Sequence, residues 1–241
     1  MFITRRIFNK EFYHKFKLGY IVLEVVLIFI GITLASKYNL YKEAQKTDKF
    51  LIDNLRLYKE NLSSNLIVNG YYLRGRKIEL DSIVTFKELL ITKNYTEEDI
   101  LKHQKHIVLL FNTLTISNDN TGFKNIYTKD INIIQSSELK QKLIDYNIMM
   151  DYNSYDVTAY NRNIERMPDY LFHHFQNINF EKNSIEAVYS LEKLKEDDKL
   201  INYLNQIIYE RKIYLDLLDR AFVKPTNILI KEISDEISLN E

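Results

Sequence analysis

The sequence predicts an all-α protein in which an N-terminal transmembrane helix continues into a long-helix bundle. Two observations lead to this class: an apolar run of nearly membrane length, and a scarcity of turn residues. The 241 residues include only 5 Gly and 2 Pro. Because both residue types punctuate turns, their scarcity favours long helices over a β fold with many turns. Hydrophobic residues make up 46% and charged residues 27%, a composition typical of folded proteins.

The composition also excludes several classes of function. Lys and Arg together number 33, as do Asp and Glu, so the net charge is zero. This balance argues against a nucleic-acid binder that works through bulk positive charge. The chain has no Cys, which excludes disulfides, thiolate metal sites and a Cys nucleophile. The scattered glycines form neither a phosphate loop nor a nucleophile elbow. We therefore expect no enzyme, no cofactor and no nucleic-acid partner.

Residues 18–36 are predicted to form the transmembrane helix. The run from Leu18 to Ala35 carries one charge, Glu24. Eighteen helical residues span about 27 Å, close to the ~30 Å of bilayer hydrocarbon. The Leu, Ile, Val and Phe residues contribute about −4 to −7 kcal/mol to insertion, which outweighs roughly +2.5 to +3.5 for an acid. A cleaved signal peptide is the alternative, but its apolar region is usually shorter and lacks Glu.

The charges on either side of the span indicate the topology. Five basic residues precede the span and four follow it (Arg5, Arg6, Lys10, Lys15 and Lys17; Lys37, Lys42, Lys46 and Lys49). The positive-inside rule therefore favours a cytoplasmic N-terminus by one charge. We expect residues 1–17 to form a short basic cytoplasmic tail and residues 37–241 a helical extracytoplasmic domain.

One face of the predicted span indicates a helix–helix interface. Gly31 and Ala35 follow Glu24 by seven and eleven residues, which places each of them within about 20° of Glu24 on a helical wheel. Small residues allow close helix approach, and an intramembrane acid is stabilised by a protein partner. This predicts a homo-oligomer or a contact with another membrane protein. One alternative is an isolated anchor in which Glu24 is protonated or snorkels to the interface. Another is a proton or ion path through Glu24.

The remaining chain reads as helices joined by polar connections. Apolar residues at a spacing of three and four residues predict a long helix that ends near Thr92. The boundaries of the later elements are predicted from helix-capping residues and from prolines and polar connections that end helices. The apolar stripe of the long helix is Leu51, Leu55, Tyr58, Leu62 and Leu66. The later elements are a helix that begins at the N-cap Thr96 and ends at about Leu114, a short stretch over Ile131–Ile134 that could pair as a strand, and a helix from Ser136 or Ser137 to about Arg166. A last helix begins near Ser190, and Pro225 breaks or kinks it.

An aromatic, Met-containing stretch has two interpretations. It could line a ligand groove or a partner surface, although such stretches more often form helix core. Its residues are Tyr146, Met149, Met150, Tyr152, Tyr155 and Tyr160.

The candidate metal ligands are one aspartate and several histidines. Asp99, His103 and His106 share a helix face by spacing, and His173 or His174 could add a ligand. The neighbouring Lys102 and Lys105 disfavour a divalent ion, so we expect a solvated polar face and no metal. Two charge clusters are also expected to be solvated, one of them Arg74, Arg76 and Lys77 and the other Glu196, Asp197 and Asp198.

Two blocks of the sequence resemble a bacterial family of single-span membrane proteins, known as domain of unknown function six-zero-nine-zero. The first block, from Glu24 through Gly31 and Ala35 to Asn39, is similar to its signature E-x6-G-I-x-x-A-x3-N. The second, from Asp130 to Tyr146, is similar to N-L-x-L-I-x-N-x-E-L-R-x-x-I-x-x-Y. Departures are Tyr41 in place of Trp, Asp130 and Ser136 in place of Asn, and Thr128-Lys129 in place of Ser-Gly.

The resemblance implies an inner-membrane protein with a helical extracytoplasmic body, and it implies no activity. It marks Glu24, Gly31 and the juxtamembrane Asn39 as important positions. We expect a membrane-anchored envelope protein of structural or interaction type, which assembles through its transmembrane face and binds a protein partner through its helical body. The alternatives are an oligomeric pore-forming or transport-accessory subunit with Glu24 in the membrane interface, and a ligand sensor that uses the Tyr-rich groove.

Overall fold

The computed structural model describes the backbone of residues 3–240 and the side chains of residues 22–239. The side chains of the basic residues before the span, and of Leu18 to Ile21, lie outside the described set. The prediction of a basic cytoplasmic tail over residues 1–17 therefore stays a prediction.

Helices make up most of the described chain, which confirms the all-α class. In chain order the elements are α1 (Ile3–Thr92), α2 (Glu97–Lys102), α3 (Gln104–Leu109), α4 (Thr121–Asp130), a 3-10 turn (Ile131–Ile133), α5 (Ser137–Ile164), α6 (Met167–Leu171), β1 (Phe175–Gln176), β2 (Ala187–Val188), α7 (Leu191–Glu196), α8 (Asp198–Asp216), a π-helical turn (Leu217–Val223) and α9 (Lys224–Asn240).

The chain divides into two compact units, and the boundary lies between Ile52 and Asp53 within α1. The first unit contains the apolar run, and the second contains all the other elements. Gly70 and Gly75 do not interrupt α1. The predicted stripe is largely correct, because Leu55, Tyr58 and Leu62 are buried.

Three predicted elements differ from the structure. Residues 131–133 form a 3-10 turn instead of a strand, because the Asp130 carboxylate accepts a hydrogen bond from the Asn132 amide at 2.9 Å and favours a turn. The helix capped by Thr96 is interrupted at His103 and ends at Leu109. The last helix is divided at Asp197, whose side chain caps a new helix by accepting from the Leu200 amide.

Pro225 does not break the last helix, contrary to one of the two predicted outcomes. It lies in the first turn of α9, directly after the π-helical turn. Proline cannot donate a backbone hydrogen bond, and a widened turn accommodates the missing donor without ending the helix.

A short hairpin was not predicted from the sequence. Phe175 and Gln176 pair antiparallel with Val188 and Ala187. The connection contains two asparagines at positive φ, Asn177 and Asn183, both at 50°. Asn tolerates this left-handed conformation better than most residues, which explains the polar, Asn-rich composition of the connection.

The buried apolar residues form one large cluster and a second group. The cluster joins the last part of α1 with α2, α3, the second half of α5, α6, the hairpin, α7, α8 and the π-helical turn. The second group lies on the middle of α1, on α4, on the first half of α5, on the π-helical turn and on α9. Its members include Leu55, Tyr58, Phe123, Ile126, Leu143, Met150, Phe222, Leu229 and Ile233.

The segment over residues 110–120 connects α3 to α4 without regular structure for most of its length, and asparagines of α1 hold it in place. Asn69 donates to the Ser117 carbonyl and accepts from the Ser117 amide, both at 2.8 Å. Asn65 donates to the Asp119 carbonyl at 2.8 Å and accepts from its amide at 3.1 Å. Each side chain therefore gives the segment the two bonds that a neighbouring strand would give.

Further asparagines extend this pairing to both ends of the segment. On α5, Asn161 accepts from the Leu114 amide at 2.7 Å and donates to its carbonyl at 2.8 Å. On α1, Asn61 accepts from the Gly122 amide at 3.1 Å. Buried polar atoms are nearly always paired in this way, because an unpaired one costs about 1–3 kcal/mol.

A buried ion cluster links α8 to α1. Arg211, which is 1% exposed, donates to Glu79 at 3.2 Å and to the Asn112 carbonyl at 2.7 Å. Arg76 also donates to Glu79. Burial lowers the pKa of Arg211 to about 10 despite the attraction of Glu79, so the guanidinium stays charged at neutral pH. Of the predicted solvated cluster, Arg74 and Lys77 are exposed as expected, whereas Arg76 is half-buried and bonds to Glu79.

Replacing Gly122 with Ala should destabilise the fold, because α4 approaches α1 most closely there. A Cβ at Gly122 would lie 2.4 Å from the Tyr58 amide nitrogen and 2.6 Å from the Asn54 carbonyl oxygen. We expect Gly122→Ala to lower the free energy of unfolding by about 1–3 kcal/mol. Gly75→Ala is the matched control: its Cβ meets nothing within 4 Å, and it should stabilise α1 by up to about 1 kcal/mol. Thermal unfolding in mild detergent measures both variants. A midpoint for Gly122→Ala equal to that of the wild type would contradict the close approach of α4 to α1.

Replacing Asn69 with Leu should leave the Ser117 amide and carbonyl without their partners. We expect a loss of about 2–4 kcal/mol, since two partly buried backbone groups lose their partners and the amide that paired with them is replaced. The control is Asn227→Leu in α9, because Asn227 is exposed and bonds only within its own helix. That change should alter stability by less than about 0.5 kcal/mol. Denaturant unfolding of the full chain measures both, and equal losses would show that the Asn69 bonds do not stabilise the segment.

Candidate functional site

The predicted membrane-interface residues all lie on α1 and are exposed. Glu24, Gly31, Ala35 and Asn39 have no other part of the described chain packed over them. A Cβ at Gly31 would meet nothing within 4 Å, so this position leaves room for a neighbouring helix. Of the described helices, only α1 has an eighteen-residue window that is long and apolar enough to cross a membrane, and no residue of that window is buried.

A second candidate site is a groove between α5 and α9, here called the α5–α9 groove. Its volume is about 290 Å³. Its lining is apolar along the floor and charged along one rim; the residues are Lys142, Asp145, Tyr146, Met149, Pro225, Ile228, Leu229 and Glu232. A concave apolar surface with a few polar groups is typical of sites that bind small molecules.

An ion pair closes the charged rim of the groove. The Lys142 ammonium donates to Glu232 Oε1 at 2.6 Å and to Glu138 Oε1 at 2.7 Å. Hydrogen bonds to Glu138 and Glu232 raise the pKa of Lys142. The other oxygen of Glu232, Oε2, is buried and has no hydrogen-bond partner in the described part of the chain. Asp145 is exposed and accepts from Gln141 at 2.8 Å.

The structure divides the predicted aromatic stretch between core and surface. Tyr146 and Met150 are buried, and the Tyr146 hydroxyl bonds to Thr226 Oγ1 of α9 at 2.7 Å. Burial raises the pKa of Tyr146 to about 12 despite that bond. Met149 is half-buried and lines the groove, whereas Tyr152 and Tyr155 are exposed. The core interpretation is therefore correct for Tyr146 and Met150, and the interpretation as a ligand groove or partner surface stays a prediction.

A third candidate site is a concavity of about 490 Å³ beside the start of α8. Its floor contains His174, which bonds through Nε2 to Asp197 Oδ2 at 2.7 Å. Burial raises the pKa of Asp197, but the bonds from His174 and the Leu200 amide outweigh it, so the pKa lies below its usual value. Arg166, His173 and Lys199 line the rim. Of the predicted solvated acidic patch, Glu196 and Asp198 are exposed as expected, whereas Asp197 is half-buried and paired with His174.

The predicted metal-ligand candidates do not converge on one point. His103 Nδ1 lies 2.8 Å from the Asp99 carbonyl oxygen, and the His103 and His106 rings meet edge to face at 5.2 Å. Burial and the neighbouring His103 lower the pKa of His106. Within the residues that the structure describes, no group of three His, Asp or Glu side chains is arranged to hold a metal ion.

The sequence analysis singled out Tyr146 and Met149, which line the groove from α5, but it did not predict the wall that α9 forms. Pro225, Ile228, Leu229 and Glu232 lie some eighty residues further along the chain, and only the packing of α9 on α5 brings them there. A helical spacing of three and four residues from Pro225 onward was the available signal.

No family model, curated protein or solved structure matches this chain.

The stabilising contribution of Asp197 should disappear in acid. Its folded-state pKa is depressed below the ordinary 3.8, so its contribution is fully present above that value and is lost as pH falls through the lower folded-state pKa. We expect Asp197→Asn to be less stable than wild type at pH 5, with the difference shrinking towards pH 2.5. The control is Asp198→Asn, which replaces the neighbouring exposed carboxylate. Its stability should differ little from that of the wild type over the same pH range. A difference for Asp197→Asn that stays constant over this range in thermal unfolding would contradict the depressed pKa.

Proposed function

We propose that the protein is a single-pass membrane-anchored protein of structural or interaction type, which assembles through one face of its membrane helix and binds a protein partner through its helical body. The observation that carries this proposal is the uncovered apolar run of α1. Ten large apolar side chains between Val22 and Leu34 are 46–72% exposed. A patch of this kind on a monomer normally marks a membrane or protein contact.

A bilayer suits this run better than water does. Each large apolar side chain left in water forfeits about 1.5–3 kcal/mol of burial free energy, and ten of them lie on all sides of one helix. A helix that is apolar all round requires a low-dielectric environment all round. Two exposed tyrosines, Tyr38 and Tyr41, follow the run, and tyrosine is enriched where helices leave the hydrocarbon.

The membrane proposed is a bacterial inner membrane, with the N-terminus in the cytoplasm and the C-terminal domain in the periplasm. The charge difference across the span supports this orientation. The similarity of the two sequence blocks to a bacterial single-span family supports the compartment.

The assembly face is proposed to be Glu24, Gly31 and Ala35. A carboxyl group in hydrocarbon is costly when it faces lipid and gains a hydrogen-bond partner when it faces another helix. The open space at Gly31 allows a second backbone to approach, as in other small-residue interfaces. A second copy presents the same acid and the same small residues, so a homo-oligomer satisfies both requirements.

The partner surface of the body is proposed to lie on the exposed side of α5. Ile148, Tyr152 and Tyr155 are 50%, 69% and 67% exposed, and their spacing of four and three residues places them on one helix face. Tyrosine is enriched at protein interfaces because it combines a large apolar area with a hydroxyl donor.

Replacing Glu24 with Leu should dissociate the full-length oligomer in mild detergent. Gly31→Leu should do the same, because a bulky side chain blocks close helix approach. Thr33→Leu is the matched control, since Thr33 lies about 200° round the helix from Gly31 and should leave the mass unchanged. Light scattering with detergent correction measures the masses.

A wild-type monomer would contradict homo-assembly, and the membrane face would then require a different protein. An oligomer that survives both substitutions would contradict the proposed face. Conductance by the reconstituted oligomer that Glu24→Gln abolishes would replace the interaction proposal with the pore alternative.

A further inference from the structure

We propose that the concavity beside the start of α8 binds a small organic oxyanion, a phosphate or carboxylate group, through His174, Arg166 and Lys199. This site is called the α6–α8 concavity here, and its lining also includes Tyr170 and Asp197. It lies within the second compact unit, so the proposal does not depend on membrane anchoring or assembly. Three features support it: a buried histidine with one unpaired ring nitrogen, two cations without ion partners, and the volume of the concavity.

The imidazole of His174 is held in place from one side. The residue is 7% exposed, and its Nε2 lies 2.7 Å from Asp197 Oδ2. Asp197 is itself fixed, because its other oxygen accepts from the Leu200 amide at 3.0 Å. The pKa of Asp197 lies below its usual value, so this carboxylate is ionised at neutral pH and can only accept. Nε2 of His174 therefore carries a proton, which it donates to Asp197.

The other ring nitrogen of His174, Nδ1, is available to a ligand. It makes no hydrogen bond within the described part of the chain, and it is not among the fully buried atoms there. Since the ring lines the concavity, Nδ1 is open to a bound group. When Nδ1 takes up a proton from solvent, the ring becomes a cation that Asp197 stabilises from the opposite side. His174 then donates a charge-assisted hydrogen bond to an anion.

Two cationic side chains on the rim have no ion partner among the described residues. Arg166 directly precedes α6, and Lys199 lies in the first turn of α8; both are exposed. Asp169 also lines the rim, whereas the charge of Asp197 is opposed by His174. Two free cations therefore face one free carboxylate in this lining. The excess positive charge attracts an anionic ligand and repels a cationic one.

The volume leaves room for an organic group beside the oxyanion. About 490 Å³ lies within the range that is typical of small-molecule sites. A phosphate or carboxylate group alone would fill only a small part of it. Tyr170 is half-buried, and its ring stacks on that of Tyr203 with the centroids 4.6 Å apart. This held aromatic ring gives the organic part of the ligand an apolar surface to pack against.

The test observes the histidine rings directly by ¹⁵N NMR. The full chain contains five His, and the two nitrogens of each ring report their protonation separately. The protein is held in a nonionic detergent, which supplies no phosphate, at pH 8, where an ordinary imidazole of pKa ~6.5 is neutral. His173→Gln assigns the ring next to His174. His103 and His106 line no part of the concavity and are internal controls.

Phenyl phosphate is the probe, phenylacetate is the carboxylate of similar size, and phenol is the neutral compound. We expect phenyl phosphate to shift the His174 signals saturably and to move Nδ1 to the frequency of a protonated nitrogen. The His103 and His106 signals should stay in place, and phenol should not bind. Inorganic phosphate should bind more weakly than phenyl phosphate, because it lacks the ring. Tighter binding of phenylacetate than of phenyl phosphate would identify the oxyanion as a carboxylate.

Charge variants on the rim test which groups hold the anion. Arg166→Gln and Lys199→Gln should each weaken phenyl phosphate about three- to fivefold, as expected for one exposed charge pair. Asp169→Asn should strengthen binding, since a repelling charge is removed. Lys212→Gln is the matched control, because Lys212 is exposed on the same helix about 20 Å from Lys199 and should have no effect.

The rim substitutions exchange exposed side chains, so each variant should keep the thermal midpoint of the wild type. Loss of binding with an unchanged midpoint then reports on the site and not on the fold. Three results would each overturn the proposal. They are the absence of a saturable His174 shift with both anionic probes, shifts of equal size at His103 and His106, and an effect of Lys212→Gln as large as that of Lys199→Gln.

Discussion

Pairing between asparagine side chains and an irregular backbone segment is the constraint on which the helical body depends. The 110–120 segment has no regular structure for most of its length, and it bonds to side chains of both α1 and α5. Asn65, Asn69 and Asn161 supply those bonds from the helices on either side. Backbone groups that are shielded from water must be paired for a fold to be stable, so these amides allow a connection without regular structure to pack against the helices.

This pairing also fixes the elements that follow the segment. Asn61 holds the Gly122 amide at the start of α4, where α4 and α1 approach too closely for any side chain. Asn120 donates to Asn147 of α5 at 2.9 Å, and Asn147 donates to the Tyr58 hydroxyl of α1 at 2.8 Å. Burial holds the pKa of Tyr58 far above its usual value, so this chain of bonds stays neutral. The position of α5, and with it one wall of the α5–α9 groove, therefore depends on amide pairing.

Local patterns in the sequence predict the helices well and the polar interior poorly. The stripe through Leu55, Tyr58 and Leu62 and the caps at Thr96 and Ser136 depend on neighbouring residues, and the structure has them as predicted. The Asn61, Asn65 and Asn69 spacing of four residues was visible, but asparagine in a helix is usually exposed. Their partners lie about fifty residues away, so only the tertiary fold shows that they are buried.

The same limit applies to the charged residues and to the groove. Arg76 reads as one member of a basic cluster. Its partner Glu79 lies only three residues along the same helix, but nothing near it indicates that Arg211 of α8 also bonds to Glu79. Asp197 reads as part of an acidic patch, although His174 lies opposite it. The groove joins residues of α5 to residues of α9, so its carboxylates could not be assigned to one site before the packing was known. Local sequence thus predicts elements, and distant contacts decide which polar groups are available for binding.

The central claim is that the apolar run of α1 lies in a membrane and the helical body lies outside the cytoplasm. The chain contains no Cys, so single cysteines report on their own surroundings. Phe29 and Tyr155 are 72% and 67% exposed in the chain itself, so only a membrane would distinguish them. Each is replaced with Cys, and intact bacterial cells that express the protein are treated with a membrane-impermeant maleimide.

We predict that Tyr155→Cys is labelled in intact cells, and that Phe29→Cys is labelled only after denaturation in detergent. Equal labelling of both cysteines in native membranes would contradict the membrane position of α1. Labelling of Tyr155→Cys only after the cells are permeabilised would contradict the proposed orientation.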